Sequence, residues 1–398
     1  MKRFLKYCFH RDHFVVTASA FIQLWILGLV VFNLSILNPV ANALEDFSIT
    51  DVFFDIQHSG AEPETCDLIT LVDMTALHSR GDIAILLEEI NQCDPLYVGV
   101  DLIFEGEKDD EIGNNLLIGA VSGLTGKSVF SSKLIDYNGA ANCFTNSVRS
   151  FFAEQLDCKE AYTNLNNDMS GSPIRDFSIK QPFNGEQVLS FPARLAAEFD
   201  DSVPTIDNNE LLINYKNVVF PVVPYDEISN YSDLIDGHIV LIGTIAEEQD
   251  MHNTPMGKMP GLEIQAYSLL TLLEHKTIKE IPSILTWLIA FILCYLLELA
   301  LDAAWQIVKK NSKSAFMVFL KESNILSIVL LFIFVSFVCW LMFVLFIKHS
   351  ICLSGGVILG LLALVCEGRD LYKSIIKALG ARYPDSSFIN NSLLKEDE

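Results

Sequence analysis

Positive charge is scarce in this chain. Its 398 residues carry 27 Lys+Arg against 50 Asp+Glu, a formal net charge of −23. The deficit is local: residues 45–280 hold 40 acids and 13 bases, a net of −27, while the remainder holds 10 and 14, a net of +4. So acidic a stretch repels polyanions, which excludes nucleic acid and an anionic membrane surface as its partners. Nine cysteines are present, but no CxxC or other zinc-like spacing occurs, so a structural zinc site is excluded. GxSxG and HExxH are missing, and no credible Ser/His/Asp order can be drawn. GLTGKS (123–128) imitates a phosphate loop. The first glycine such a loop requires is Val121 here, and KSVFSS continues as a strand rather than opening a helix. His78, His238, His252 and His275 are scattered and read as surface or capping residues. There is no internal repeat and no low-complexity linker. No cofactor is expected.

What is abundant is apolar sequence: 51% of the residues, with a mean hydropathy of +0.35. Three blocks, Phe14–Leu37, Ile281–Leu301 and Ile325–Ile347, run 24, 21 and 23 residues. At about 1.5 Å per helical residue each can cross a hydrocarbon layer of roughly 30 Å. A fourth, Ile351–Val365, has 15 residues and needs Ser350 and Cys366 to span. Within it Gly356 and Gly360 lie four apart, a spacing that allows close helix contact, although ordinary glycine use in a membrane helix gives the same pattern. Basic segments flank these blocks: MKRFLKYCFHR at the start, VKKNSKS between the second and third, and Arg369, Lys373, Lys377 and Arg382 after the fourth. Positive flanks stay inside. The reading is a multi-pass membrane protein with both termini cytoplasmic and the acidic region exported. Its segments are a basic N-terminus (1–13), a signal anchor (14–37), a periplasmic domain (45–280), a second span (281–301), a cytoplasmic loop (302–324), spans at 325–347 and 350–366, and a tail (367–398). ANA (41–43) offers a signal-peptidase site, but the preceding apolar run is too long for a usual signal core. Glu298 and Asp302, one turn apart near the inner end of the second span, are expected to snorkel or to pair with Lys309 or Lys310.

The exported region alternates apolar runs with helical patterns. LITLVDM (68–74), LYVGVDLIF (96–104) and KSVFSS (127–132) read as strands, separated by helices at DIAILLEEINQC (82–93) and EIGNNLLIGAV (111–121). That βαβαβ series implies a mostly parallel open sheet. ELLINYK (210–216) and HIVLIGT (238–244) read as further core strands, LSFPARLAAEF (189–199) as a helix, and 133–187 as a long polar excursion. GLEIQAYSLLTLLEHK (261–276) reads as an amphipathic helix leading directly into the second span.

Two expectations follow from this topology. Parallel neighbours begin at one sheet edge, so Cys66 and Cys93, each just before a strand, are expected to bridge. Cys143 and Cys158 bracket a 16-residue loop whose closure would contribute about 3 kcal/mol. At the opposite edge, Asp73, Asp101 and Asp250 follow strand ends, where ligands of open α/β sheets bind. Three acids there suit a divalent cation or a cationic ligand. The alternative is that they cap helices and pair with Arg80.

CDPLYVGVDLIFE (93–105), LLINYKNVVFPVVPYDEI (211–228), DGHIVLIGT (236–244) and DMHNTPMGKMPGLEIQAYSLLTLL (250–273) together resemble the CHASE type 2 sensor domain family. In the last segment Asp250, Thr254-Pro255, Pro260-Gly261, Glu263 and Ala266 stand in register with the family pattern. One span, an ectodomain and then three spans is also similar to that family. The ligand-binding set then reads Asp73, Arg80, Asp101, Asp250 and Glu263. ALHSRG departs from the family, which carries a longer Trp/Pro-rich element before its arginine. Relatives continue into a cytoplasmic kinase, cyclase or phosphodiesterase. Here 32 residues follow Cys366, too few for an autonomous domain, so no catalytic output is expected. The resemblance implies a sensory subunit that binds an extracytoplasmic ligand and signals to a separate cytoplasmic effector, with a homodimer left open. A constitutive scaffold and an exported carboxylate enzyme are the rival readings.

Overall fold

The structure, a computed structural model, describes residues 2–33, 48–60, 62–166, 172–206, 209–310, 316–317, 319 and 324–395. The ANA stretch, residues 34–37 of the first expected span and residues 311–315 of the expected loop lie outside the described residues. The chain divides into two compact units, Thr50–Ile278 and Met1–Ile49 with Lys279–Glu398. In chain order the helices used below are α1 (Lys2–Cys8), α2 (Arg11–Asn33), α3 (Ile49–Ser59), α4 (Arg80–Gln92), α5 (Glu111–Gly123) and α6 (Phe191–Ala196). They continue with α7 (Gly261–Leu273), α8 (Ser283–Lys310), α9 (Ile325–His349), α10 (Gly355–Arg382) and α11 (Ser387–Asn390).

The main sheet of the Thr50–Ile278 unit is built from nine strands. They are β1 (Ile69–Asp73), β2 (Tyr97–Val100), β3 (Ser128–Asn138), β4 (Cys143–Val148), β5 (Glu160–Tyr162), β6 (Lys180–Phe183), β7 (Glu186–Leu189), β8 (Val222–Pro224) and β9 (Ile239–Gly243). Their order is β8-β1-β9-β2-β3-β4-β6-β7, with β5 also paired to β3. The first five are mutually parallel, β5 pairs parallel with β3 and β6 with β4, and β3–β4 and β6–β7 are antiparallel, so the sheet is mixed but mostly parallel, as expected. β2 and β9 are buried along their whole length, as unbroken apolar runs require when helices cover both faces. On one face Ile83, Leu87 and Ile90 of α4 and Leu117 and Val121 of α5 pack with Val98 and Val100. Gly99 points the other way. A Cβ there would sit 2.7 Å from Leu241 and 2.9 Å from both Leu195 and Phe191 of α6. Gly99→Ala is therefore expected to overpack this face by about 1–3 kcal/mol. The corresponding fall in the thermal midpoint of the full-length protein is about 3–10 °C; an unchanged midpoint would refute the close packing.

Several expectations need correction here. β9, late in sequence, inserts between β1 and β2, so these are not neighbours. Cys66 and Cys93 are thereby separated by two strand spacings, about 10 Å, beyond disulfide reach. Cys143 pairs with Asn138 at the far end of β3, whereas Cys158 precedes the segment that pairs with Phe130. Eight residues of strand, about 26 Å, lie between those positions. All nine cysteines are free. The excursion after residue 133 is strand-rich, and its hairpin strands escaped recognition because they carry polar residues on both faces. ELLINYK supplies only Glu210–Leu212, antiparallel to Asp176–Ser178 outside the main sheet, and the edge strand is β8 instead. α7 is buried almost all round, from Gly261 to Leu272, apart from Glu263, and is a core helix rather than an amphipathic one. Nor does it run into the second span: it stops at Leu273, His275 adopts φ 53°, and Pro282 precedes α8.

In the other unit, among the described residues, three helical segments are long and apolar enough to cross a membrane: Phe4–Val31, Ser283–Lys310 and Ile325–His349. The fourth apolar block forms the first half of α10, which continues unbroken to Arg382. α10 packs against both α2 and α8. The contact glycine is Gly368, where a Cβ would overlap Ser19 Oγ of α2. Gly356 faces open space and a Cβ on Gly360 would only graze Leu24, at 3.7 Å. The expected Gly356/Gly360 contact is thus replaced by one two turns further on.

The buried charged groups of this unit converge near one end. Glu298, Asp302 and Arg369 are 0%, 2% and 3% exposed. Arg369 donates to Glu298 through one terminal nitrogen and to Asp302 Oδ1 through the other at 2.8 Å. Tyr7 and Gln306 donate to Asp302 Oδ2 at 2.7 Å each, and His13 Nδ1 lies 3.5 Å from Glu298. Arg369, rather than Lys309 or Lys310, is therefore the cation of the two acids. The neighbouring Asp12, fully buried, accepts from Tyr372 at 3.0 Å, Ser392 Oγ at 2.8 Å and the Leu393 amide at 2.6 Å. Those last two bonds fold Ser387–Leu394 back onto α2. Ordering eight residues costs about 8–16 kcal/mol. Burial of Ile389 and Leu394 contributes about 3–6 kcal/mol. The two bonds to Asp12 contribute about 3–6 kcal/mol, and an exposed one from Arg11 to the Phe388 carbonyl adds little. The segment is held near balance.

Candidate functional site

The carboxyl ends of β1, β2 and β9 open onto a cavity of about 690 Å³. Chain leaving each strand contributes to its wall: Thr75 after β1, Asp101–Glu105 after β2, and Thr244 with Glu247 and Asp250 after β9. α4 adds Arg80 and Ile83. A parallel sheet makes this site by construction, because all its strands deliver their outgoing loops to one edge.

Asp101 follows directly on β2, and its amide bonds to the Ile242 carbonyl of β9 at 2.8 Å. The pairing of Val100 with Phe130 sets Ser131 alongside, and Ser131 Oγ donates to Asp101 Oδ1 at 2.8 Å. Burial pushes the Asp101 carboxyl up to about 6; the Ser131 bond pulls it down, the charge of Asp250 pushes it up further and His252 opposes. Asp250 lies across the wall, 3.3 Å from His252 Nε2. Its carboxylate also rests against the first residue of α7, where a Cβ on Gly261 would come 2.9 Å from Oδ1. A side chain at 261 would evict Asp250 from the helix N-terminus, where a negative charge is favoured.

Arg80 opens α4 and is 3% exposed. Its terminal nitrogens donate to Asn114 Oδ1 at 2.5 Å and to the Gly106 carbonyl at 2.5 Å, and its guanidinium stacks 4.5 Å from the centre of Phe151. Among the described residues it has no carboxylate partner, so the expected pairing of the rim acids with Arg80 is not how it is held. Arg80 pins the β2–α5 loop that forms one cavity wall.

Asp73 has a different job. Its Oδ1 accepts from the Thr75 amide at 2.9 Å and the Thr75 hydroxyl at 2.5 Å, and Thr75 Oγ1 in turn accepts from Ile245 and Ala246 amides at 3.0 and 3.2 Å. Asp73 thus ties the loop after β1 to the loop after β9 and does not line the cavity. Glu263 is half-buried on α7, raised by that burial; its charge acts on Tyr215 and Tyr267, and it too is absent from the lining. Of the five sequence candidates, the structure brings Asp101, Asp250 and Arg80 together. Among the described residues no three His, Cys, Asp or Glu side chains are placed to hold a metal ion. Ser131 and Thr75 were not singled out from sequence; the parallel register of KSVFSS against LYVGV is the signal that finds Ser131.

An α/β unit with a polar cavity at the carboxyl edge of its parallel strands thus stands in one chain with helices long and apolar enough to cross a membrane. Residues 24–301 match the CHASE2 domain, well over half of the chain. The protein belongs to this family of extracellular sensor domains. No curated protein and no solved structure matches it.

Proposed function

We propose that this protein is a multi-pass receptor subunit that takes a small extracytoplasmic ligand into the Asp101–Asp250 cavity and passes the occupied state through its membrane helices to a separate cytoplasmic effector. The observation that carries the reading is Asp101: a desolvated carboxylate facing a second acid across a cavity. Such an arrangement opposes the stability of the empty protein and is relieved by a ligand that donates hydrogen bonds or carries positive charge. Membership of a sensory family supports it. The charge asymmetry supports an exported Thr50–Ile278 unit, four spans with the first half of α10 as the fourth, and both termini inside.

Two measurements test this. A membrane-impermeant amine reagent applied to intact spheroplasts is expected to modify Lys127 and Lys258 and to spare Lys373 and Lys377 until the membrane is opened; the reverse pattern would end the orientation argument. Asp101→Asn with Asp250→Asn is then expected to lock crosslinking to the cytoplasmic partner in one state. Crosslinking identical to that of the unmodified protein, and also retained after removal of residues 50–278, would favour the constitutive scaffold instead.

A further inference from the structure

The Arg369 cluster and the Asp12 hub share their supports. Asp12 and His13 are adjacent on α2: the first holds Ser392 and Leu393, the second faces Glu298 of α8. Arg369 and Tyr372 lie one turn apart on α10, the first bonded to Glu298 and Asp302, the second to Asp12. Any displacement of α8 that moves Glu298 therefore acts on both helices that anchor the Ser387–Leu394 segment. The cluster is not saturated: His13 Nε2, Glu298 Oε2 and Arg369 Nε are buried without a partner among the described residues, which leaves hydrogen-bonding capacity for the same groups to pair differently. Ionisable groups inside a membrane helix bundle are costly to keep and commonly mark the moving parts. The segment itself is held by two buried side chains, Ile389 and Leu394, and by bonds that depend on the charges of Asp12 and Arg11. Phe388 stays 44% exposed beneath Arg11, 3.8 Å from its guanidinium.

We infer that Ser387–Leu394 is a releasable latch, closed by Asp12, whose release is set by the Glu298/Asp302–Arg369 cluster and which exposes Ile389 and Leu394 to the cytoplasmic partner when it opens. This deepens the relay reading by naming the segment that carries the output. It takes α8, the helix that follows the sensor unit in the chain, as the moving input.

Hydrogen–deuterium exchange on the full-length protein in lipid nanodiscs, read over residues 384–395, tests the inference without ligand or effector. Asp12→Asn is expected to speed exchange at Ser387–Leu394 at least tenfold, and Ser392→Ala, which removes one of the segment's two donors to Asp12, about three- to fivefold. Glu298→Gln, remote from the segment, is expected to change the same exchange at least threefold while α10 stays protected. Unchanged exchange in both Asp12→Asn and Ser392→Ala overturns the latch. A response to those two with none to Glu298→Gln overturns the coupling and leaves a static clasp. Neither result bears on ligand binding, and failure of the cavity variants to alter partner crosslinking would in turn leave the exchange results standing.

Discussion

Arg369→Met is expected to be the most damaging single substitution in the membrane unit. It leaves Glu298 and Asp302 buried and without their cation, and breaking a buried pair from one side costs about 3–5 kcal/mol. The expected readout is loss of most monodisperse protein on extraction and a strongly lowered thermal midpoint. Because the damage is electrostatic, the triple variant with Glu298→Gln and Asp302→Asn is expected to recover most of it. Arg369→Lys is expected to fall between, since an ammonium cannot fork to two carboxylates at once. If Arg369→Met behaved like the unmodified protein, the cluster would be a surface feature and the coupling built on it would fail.

The second large effect is a gain. Asp101 titrates near 6 in the folded protein because burial disfavours its charged form, against about 4 when unfolded. A carboxyl raised on folding binds its proton more tightly in the native state. Stability is then greatest below pH 4, falls as the pH rises from 4 through 6, and stays low above. Asn cannot ionise, and its carbonyl accepts the Ser131 hydroxyl as the carboxylate does. Asp101→Asn is thus expected to match the unmodified protein near pH 4 and to be more stable by about 2–3 kcal/mol at pH 7.5. Thermal midpoints at pH 4, 5.5 and 7.5 measure this. Equal destabilisation at every pH would mean that the carboxylate is a structural plug. A residue whose removal stabilises the protein while abolishing its response is the signature of a site maintained for function.

The sequence made the edge of the sheet legible but not its strand order. Apolar runs ending in Asp73 and Asp101 place both acids at the carboxyl edge, and Asp250 follows HIVLIGT to the same rim. Which acid faces the cavity depends on side-chain bonding that periodicity does not encode: Asp73 is consumed by Thr75, whereas Asp101 is not consumed by Ser131. The insertion of β9 between β1 and β2 is a long-range choice with no local mark, and the expected Cys66–Cys93 bridge failed for that reason alone. Arg369 was legible only as one of several positive residues outside a span. Its pairing with Glu298 and Asp302 needed the packing of α10 on α8, which the two acids one turn apart on an apolar helix did not by themselves specify.

The position of β9 also constrains how the protein is made. The central strand of the parallel core is the last of them to be synthesised, so β1 and β2 wait, with a gap between them, until residue 243 has emerged. Earlier fragments expose two unpaired apolar edges. Biogenesis is therefore expected to lean on holding factors, and truncations before Gly243 should accumulate as proteolytic debris rather than as smaller folded domains.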